Sequence, residues 1–509
     1  MVSQSASKLE LTQTEMFKSL IKNTVISGVA FFAVSVLGLL LVPYLVAAYG
    51  VAGFGVISMA RLFLPLMGMG IFDLGFGEMA AYSVAKARSD GTWSHATALL
   101  LQLLIVAIGL GFVLGLLVYL LAPWLGMWMS VTGGFLAQFE ASLEITAVLL
   151  PLLFASLVFE GVIKGFENFK LQRLIEVLAA LGYAAGTVYV VWQGLSVYWV
   201  CVVFLVAQSG RALIAGVAAY KLLGSHRSEF VQFQPAAWLE IRTRSPGLSA
   251  SKILGTAQAN GPVLLISFLL GPASVGVYEA LSRIPRFAKS VVGLVNSTVQ
   301  PLAARLDQGG GQGATDMVRL IGTGTLLLAC VVLPLYATAM AYSEPLLRLW
   351  LSRQFSDLWY WQSALFVFPA LAGLIGFGAA ALIGRVEAVS SFNRIAVAFI
   401  VVQLGIGLLL LPNLNEFAFI VGQAVAAVFA FAFQLKVIHR AVTLPVSVYR
   451  RLVVVFLIVF VLALPGYYLA QQVESLLELA FAGALTALVM VAVNLTLVFR
   501  NNLLRQFKS

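Results

Sequence analysis

The sequence predicts an all-α, polytopic membrane protein with about fourteen transmembrane helices. Three observations carry that prediction. Apolar residues make up 61% of the 509 positions and charged residues 10%, with a mean hydropathy of +0.98. A soluble domain carries about 25% charge, so a water-soluble fold of this length would lack the charge to cover its surface. Second, about 310 apolar residues, at about 20 to 22 per spanning helix, supply roughly fourteen spans. Third, Lys and Arg fall on alternate connections, as membrane topology demands. A transmembrane barrel would instead show short alternating segments.

The elements follow in order. Residues 1–22 mix Lys8, Lys18 and Lys22 with Glu10 and Glu15 and have no short apolar core ending at a cleavage site, so they read as a cytoplasmic lead-in. Apolar runs then place spans at 23–48, 54–80, 95–122, 141–163, 172–193, 196–222, 248–270, 275–302, 317–342, 358–383, 392–412, 414–438, 452–470 and 478–499. The breaks at Trp192–Gly194 and Leu411–Asn413 separate the two closest pairs. Of the 31 Lys and Arg, twenty-four lie at the termini or in even-numbered connections, counting the span ends that border them, such as Lys252. Two, Arg348 and Arg353, lie in odd-numbered ones. Five lie inside spans. This asymmetry predicts that both termini face the cytoplasm. It also explains the net charge of +10 as topology plus attraction to anionic lipid headgroups, with no need for nucleic acid.

The longest connection, 223–247, falls near the middle and reads as a cytoplasmic linker. The expected layout is an N-lobe at 23–222, a C-lobe at 248–440, and accessory helices with a cytoplasmic tail at 441–509. An internal repeat supports two lobes. GVAGFGVISMA at 50–60 matches GPASVGVYEAL at 271–281, each with Gly-x-x-x-x-Gly after one apolar span and at the head of the next. Arg61 follows the first copy and Arg283 the second, displaced by one position. A weaker match pairs GFENFKLQR (165–173) with GRVEAVSSFNR (384–394) at a similar offset. Repeats that start on the same side imply two halves in parallel pseudo-repeat around a central axis, a common transporter plan.

Several chemistries have no motif here. No G-x-x-x-x-G-K-[ST] occurs, which argues against ATP hydrolysis. No His/Cys/carboxylate spacing suits a metal, and Cys201 and Cys330 read as small apolar packing residues. GMGIFDLGFG (68–77) reads as a helix-packing and bending segment rather than a phosphate cradle. His95, His226 and His439 lie at or beyond span ends. No enzyme activity and no cofactor are expected.

Ionisable groups inside the bilayer cost at least about 2.5–3.5 kcal/mol at its centre and are functional candidates by default. The eighth span holds most of them. Glu279 and Arg283 are four apart and share a face. Arg286 and Lys289 follow at steps of three, drifting about 60° per step, which makes one basic stripe beside Pro285. Such a stripe suits an anionic headgroup, because guanidinium binds phosphate bidentately. Arg61 is its counterpart in the first half. Arg211 reads as a snorkelling residue near the cytoplasmic end of the sixth span. The acids Asp73, Glu78, Glu144, Glu160, Glu176 and Glu279 are candidates to carry a coupling proton, with Asp73, Glu78 and Glu279 the ones retained for ion coupling.

With these residues in place, the chain resembles a known family. VPYLVAAYGVAGFGVISMARLF with FDLGFGEMAAYSVAK resembles the first helix pair of bacterial polysaccharide-lipid flippases. LLGPASVGVYEALSRIPRF resembles their seventh-to-eighth helix junction, and EGVIKGFENFKLQR their fourth-to-fifth loop. These flippases belong to the multidrug/oligosaccharidyl-lipid/polysaccharide exporter superfamily. The resemblance implies two six-helix lobes, a V-shaped central cavity and two accessory C-terminal helices. It implies movement of polyprenyl-diphosphate-linked oligosaccharide to the outer leaflet for O-antigen (lipopolysaccharide), capsule or exopolysaccharide synthesis, by alternating access of the lobes. Arg283, Arg286, Arg61 and Lys289 would hold the diphosphate. The drive would be an H+ or Na+ gradient, the membrane potential or product removal. Membrane lipids are expected partners, with a polysaccharide polymerase and chain-length regulators at family level. One departure is that the first span has no charged residue beyond Asn23, where lipid II flippases place basic residues, so that subfamily ranks lower. The alternative is an ion-coupled multidrug/cation antiporter of the same superfamily, which would want acids rather than bases in its cavity. A major-facilitator sugar transporter is disfavoured by YSVAKARSDG, and a membrane glycosyltransferase or polymerase by the short outer loops.

Overall fold

The computed structural model describes the backbone of residues 2–65, 67–224, 234–297, 299, 303, 310–382 and 385–506. It describes side chains within these except at 2–27, 244–248, 251, 294–297, 310–314, 386 and 499–506. Among the described residues there are helices and turns and no strand. The protein is therefore an all-α, multi-pass membrane protein. The helices are α1 Val2–Arg61, α2 Phe76–Asp90, α3 Trp93–Trp128, α4 Gly134–Gly165, α5 Phe169–Trp192, α6 Val197–Leu223, α7 Pro235–Leu269 and α8 Pro272–Ser297. There follow α9 Gly310–Ala341, α10 Ser343–Trp350, α11 Trp359–Leu365, α12 Val367–Ala381, α13 Val386–Leu414, α14 Ala418–Ala441, α15 Val446–Ala470 and α16 Leu476–Gln506.

Among the described residues, ten helical stretches are long and apolar enough to cross a membrane, and one of them, Glu387–Ala441, runs through α13 and α14. The expected second, seventh and eighth spans are not among them: the eighth carries Glu279, Arg283, Arg286 and Lys289, the seventh carries Lys252, Gln258 and Asn260, and the second is interrupted. α1 bends at Gly50 (φ 70, ψ 176), continues to Arg61, and then breaks around Pro65 before a 3-10 turn at Gly68–Phe72 and α2. A Cβ on Gly68 would lie 2.4 Å from the Leu62 carbonyl oxygen, so only glycine fits this fold-back. The Gly-rich segment read as a bent helix is thus a helix break.

The fifth and sixth spans separate where expected, with Gly194 at φ 63 between α5 and α6. The next close pair separates a few residues later than expected. Pro412 is accommodated in the last turn of α13, and the chain turns at Asn415 (φ 48). α7 begins inside the segment read as a linker. Pro235 suits the first helical position, where no N–H is needed. Gln102 Nε2 donates to the Gln234 carbonyl at 3.0 Å, and His95 meets Glu240 at 2.9 Å, tying the start of α7 to α3.

The chain forms two compact units, one of 1–260 with 267–273 and one of 261–266 with 274–509. In the first, α2 and α4 pack through small residues: a Cβ on Gly161 would meet the Gly77 carbonyl oxygen at 2.3 Å. In the second, the main core gathers Cys330, Leu333, Tyr336 and Phe366 with Val455 and Val459 of α15. Cys201 and Cys330 are both buried free thiols.

Gly271, between α7 and α8, has φ 85. It matches Gly50 in the sequence repeat, and both adopt the left-handed backbone that favours glycine. The repeat is therefore structural as well as sequential: each copy marks a glycine joint followed by a helix carrying an arginine.

Candidate functional site

The second unit holds the basic cluster of α8. Glu279 is buried, and its two oxygens serve two arginines: Oε2 lies 3.0 Å from Arg283 Nη2, and Oε1 accepts from Arg286 Nη1 at 2.7 Å. The i+4 pairing foreseen with Arg283 is present. The reach of the same carboxylate to Arg286, seven residues on, is an addition. Arg286 also lies 5.9 Å from the Tyr278 ring centre. Lys289 does not join the carboxylate; its Nζ sits 4.2 Å from the Phe368 ring centre on α12. Along α8 itself Arg283, Arg286 and Lys289 stand against one acid, Glu279, so the helix carries net positive charge. α8 is oriented by Ser274, which donates to Glu416 Oε2 at 2.9 Å, and by Tyr278, which donates to Gln423 Oε1 at 3.4 Å.

The first unit holds Arg61 in a different setting. Its guanidinium donates to the Tyr183 hydroxyl and lies 5.0 Å from the Tyr183 ring centre and 4.4 Å from that of Phe204. The two rings meet edge to face at 5.0 Å. Among the described residues no carboxylate lies within ion-pair distance of Arg61. It lines a cavity of about 360 Å³ with Tyr183, Phe204, Gln208, Arg211 and Glu176, between largely apolar walls from α1 and α5. Arg61 is thus held by an aromatic cage.

Arg211 is not a snorkelling residue. It makes a bidentate pair with Glu160, Nε to Oε1 and Nη2 to Oε2 both at 2.9 Å, and lies 3.6 Å from Glu176. Arg173 holds the same Glu176 at 2.5 Å. This network ties α4, α5 and α6 together and uses up the acids nearest Arg61.

Asp73 is fully buried in the break before α2. Its Oδ1 accepts from the N–H groups of Gly75 at 3.0 Å and Phe76 at 3.1 Å, capping the helix. Its Oδ2 pairs with Lys252 of α7, which also reaches both Glu78 oxygens at 3.3 Å. Sequence reasoning placed Lys252 among the cytosolic connections. No local signal could have matched it with acids more than 170 residues away. Tyr183 and Phe204 were missed likewise, because aromatic residues in apolar spans carry no mark of a cation partner. Among the described residues no group of His, Cys, Asp and Glu is arranged to hold a metal.

The solved structures similar to this one share its fold at low sequence identity. A lipid II flippase MurJ in an inward closed conformation superposes with a TM-score of 0.74 at 12% identity, covering 95% of this chain and 100% of that one. An inward-facing multidrug resistance MATE family transporter of the MOP superfamily gives 0.62 at 13%, covering 81% and 95%. The Vibrio cholerae MATE transporter VcmN gives 0.56 at 15%, covering 84% and 97%. No curated protein sequence matches significantly. A family model described as polysaccharide biosynthesis protein matches residues 20–307, more than half of the chain. The chain therefore belongs to the polysaccharide biosynthesis protein family and shares the fold of these flippase and multidrug transporter structures.

Proposed function

We propose that the protein moves a polyprenyl-diphosphate-linked oligosaccharide from the cytoplasmic to the outer leaflet of a bacterial inner membrane, supplying O-antigen, capsule or exopolysaccharide synthesis. The observation that carries this reading is the α8 cluster, in which one carboxylate is shared by two guanidiniums and a third cation stands beside them. The residual positive charge suits a diphosphate. Glu279 keeps Arg283 and Arg286 splayed and charged while the site is empty. The diphosphate then takes over the N–H groups not given to Glu279, with bidentate geometry. The same fold supports alternating access, and the family supports a glycan-linked substrate. Lys252 between Asp73 and Glu78 is the place where an H+ or Na+ gradient acts, since neutralising one acid leaves the ammonium held by the other alone. The cation-antiporter reading fits less well, because Asp73, Glu78, Glu160, Glu176 and Glu279 all have basic partners.

The test is mass spectrometry of lipid extracts from cells lacking the protein, complemented with Arg283→Ala. Accumulation of a polyprenyl-diphosphate oligosaccharide in both strains, at normal variant protein level, is the expected result. Arg283→Lys should rescue in part. Unchanged lipid intermediates with new sensitivity to cationic drugs would overturn the reading in favour of the antiporter.

A further inference from the structure

The seam between α13 and α14 has no part in the transport reading, yet it has the features of a binding site. The helices run antiparallel in one unbroken register. Gly407 leaves room for the Phe419 ring, Gln403 Nε2 donates to Gln423 Oε1 at 3.4 Å, and Arg385 Nη1 donates to the Ala441 carbonyl at 3.0 Å. Two cavities follow one another along this seam. The first, of about 560 Å³, sits at the basic end and is lined by Arg385, Glu387, Ser391 and Arg440. The second, of about 250 Å³, begins at Arg394 and continues between Phe399, Val402, Ala426, Phe429 and Phe433. On α13 the lining positions recur every three or four residues from 385 to 402, so they share one helix face.

The chemistry changes sharply along this line. Glu387 is the one acid among the described residues of the polar cavity, against Arg385 and Arg440. Arg440 makes no ion pair among the described residues, and Arg394 has only the Ser390 hydroxyl, at 3.3 Å. Beyond Arg394 no further polar side chain lines the groove. Its floor is buried (Phe399 3%, Ala426 0%), while Phe429 at 53% and Phe433 at 54% stand exposed at its rim. The eight helical steps from Arg394 to Val402 span about 12 Å, close to the roughly 15 Å depth of one hydrocarbon leaflet. The Lys and Arg distribution assigns the basic end to the cytoplasmic headgroup side.

We propose that this seam binds one anionic glycerophospholipid of the bilayer, its phosphate against Arg385, Arg394 and Arg440 and one acyl chain in the aromatic groove. A soluble anion would use the first cavity and leave the groove empty. A neutral lipid would fill the groove and bring no negative charge to Arg394 and Arg440. Only a lipid with a negatively charged head satisfies both.

The test is native mass spectrometry of the full-length protein, delipidated in a neutral detergent and titrated with phosphatidylglycerol or with phosphatidylcholine of identical chains. The wild type should retain one phosphatidylglycerol with about a tenfold preference, since each arginine near the surface favours an anionic lipid. Arg385→Gln combined with Arg440→Gln should erase the preference. Ala398→Trp, at an exposed position of the groove, should lower the occupancy of both lipids. Inorganic phosphate should not displace bound phosphatidylglycerol. Equal binding of the two lipids by the wild type, a preference surviving the double substitution, undiminished binding by Ala398→Trp, or full displacement by phosphate would each overturn the proposal. If the double variant fails to fold, Arg394→Gln, at an exposed position, carries the same expectation.

Discussion

Arg61 and Arg283 stand at matching places in the two repeats and are held in opposite ways. Each follows a glycine joint, Gly50 or Gly271, in the next stretch of helix. Arg283 shares a buried carboxylate with Arg286. Arg61 touches two aromatic rings and no described acid. The difference teaches that a guanidinium can be desolvated in two currencies of attraction. A carboxylate neutralises part of the charge and makes the partners interdependent. An aromatic cage leaves the full charge in place and makes the residue dispensable to its neighbours. In the first unit the acids that would have paired Arg61 are committed to Arg211 and Arg173.

The most severe break of this comparison is Glu279→Gln. Removing the one acid leaves Arg283 and Arg286 facing each other, and breaking a buried pair by losing one partner costs about 3–5 kcal/mol. The expected outcome is a large drop in melting temperature in detergent, partly restored by adding Arg286→Gln. An unchanged melting temperature would show that the carboxylate does not hold the cluster.

Asp73 sits between the two extremes, since it both caps a helix and meets a lysine. Asp73→Ala should cost about 2 kcal/mol by losing the α2 cap and the pair with Lys252 together. Asp73→Asn keeps an oxygen for the Gly75 and Phe76 N–H groups, so it should cost about half as much. Equal losses, read by thermal melts, would mean the cap contributes nothing.

Arg61→Met should cost no more than about 1–2 kcal/mol, the scale of a cation–π contact, because it leaves no charge stranded. A loss as large as that of Glu279→Gln would contradict the distinction between cage and carboxylate.

The smallest effect compares the joints themselves. Alanine at either glycine must adopt a positive φ, at about 1–3 kcal/mol. At Gly50 a Cβ meets nothing within 4 Å, whereas at Gly271 it meets Ser130 Cβ at 3.1 Å and the Ser130 carbonyl oxygen at 3.2 Å. Gly271→Ala should therefore be the more destabilising of the two, and the reverse order would show that φ strain alone decides.

Much of the fold was legible because hydropathy is a local property. The breaks at Gly194 and between α13 and α14, the glycine joints and the grouping of cations on α8 all follow from residues within one or two turns. Lys252 shows where that reach ends. It sits among connection residues in the chain but lies between Asp73 and Glu78 in space, a partnership created by packing α7 beside the break after Arg61. The span read as 54–80 failed for a related reason. Apolar content does not register that Pro65, Gly68 and Gly75 together interrupt the helical hydrogen bonds.

By itself the sequence determined the class of molecule, its helices, its repeat and which helix carries the cations. Burying apolar surface in lipid, satisfying backbone groups within helices and placing basic residues on one side are demands that each segment meets alone. Only the tertiary structure decided which charge meets which partner: Glu279 between two arginines, Arg61 against two rings, Arg211 with Glu160, and Arg385 against the end of α14. Those choices depend on which side chains compete for one carboxylate or one ring face across separate helices, and that competition exists only once the helices are packed.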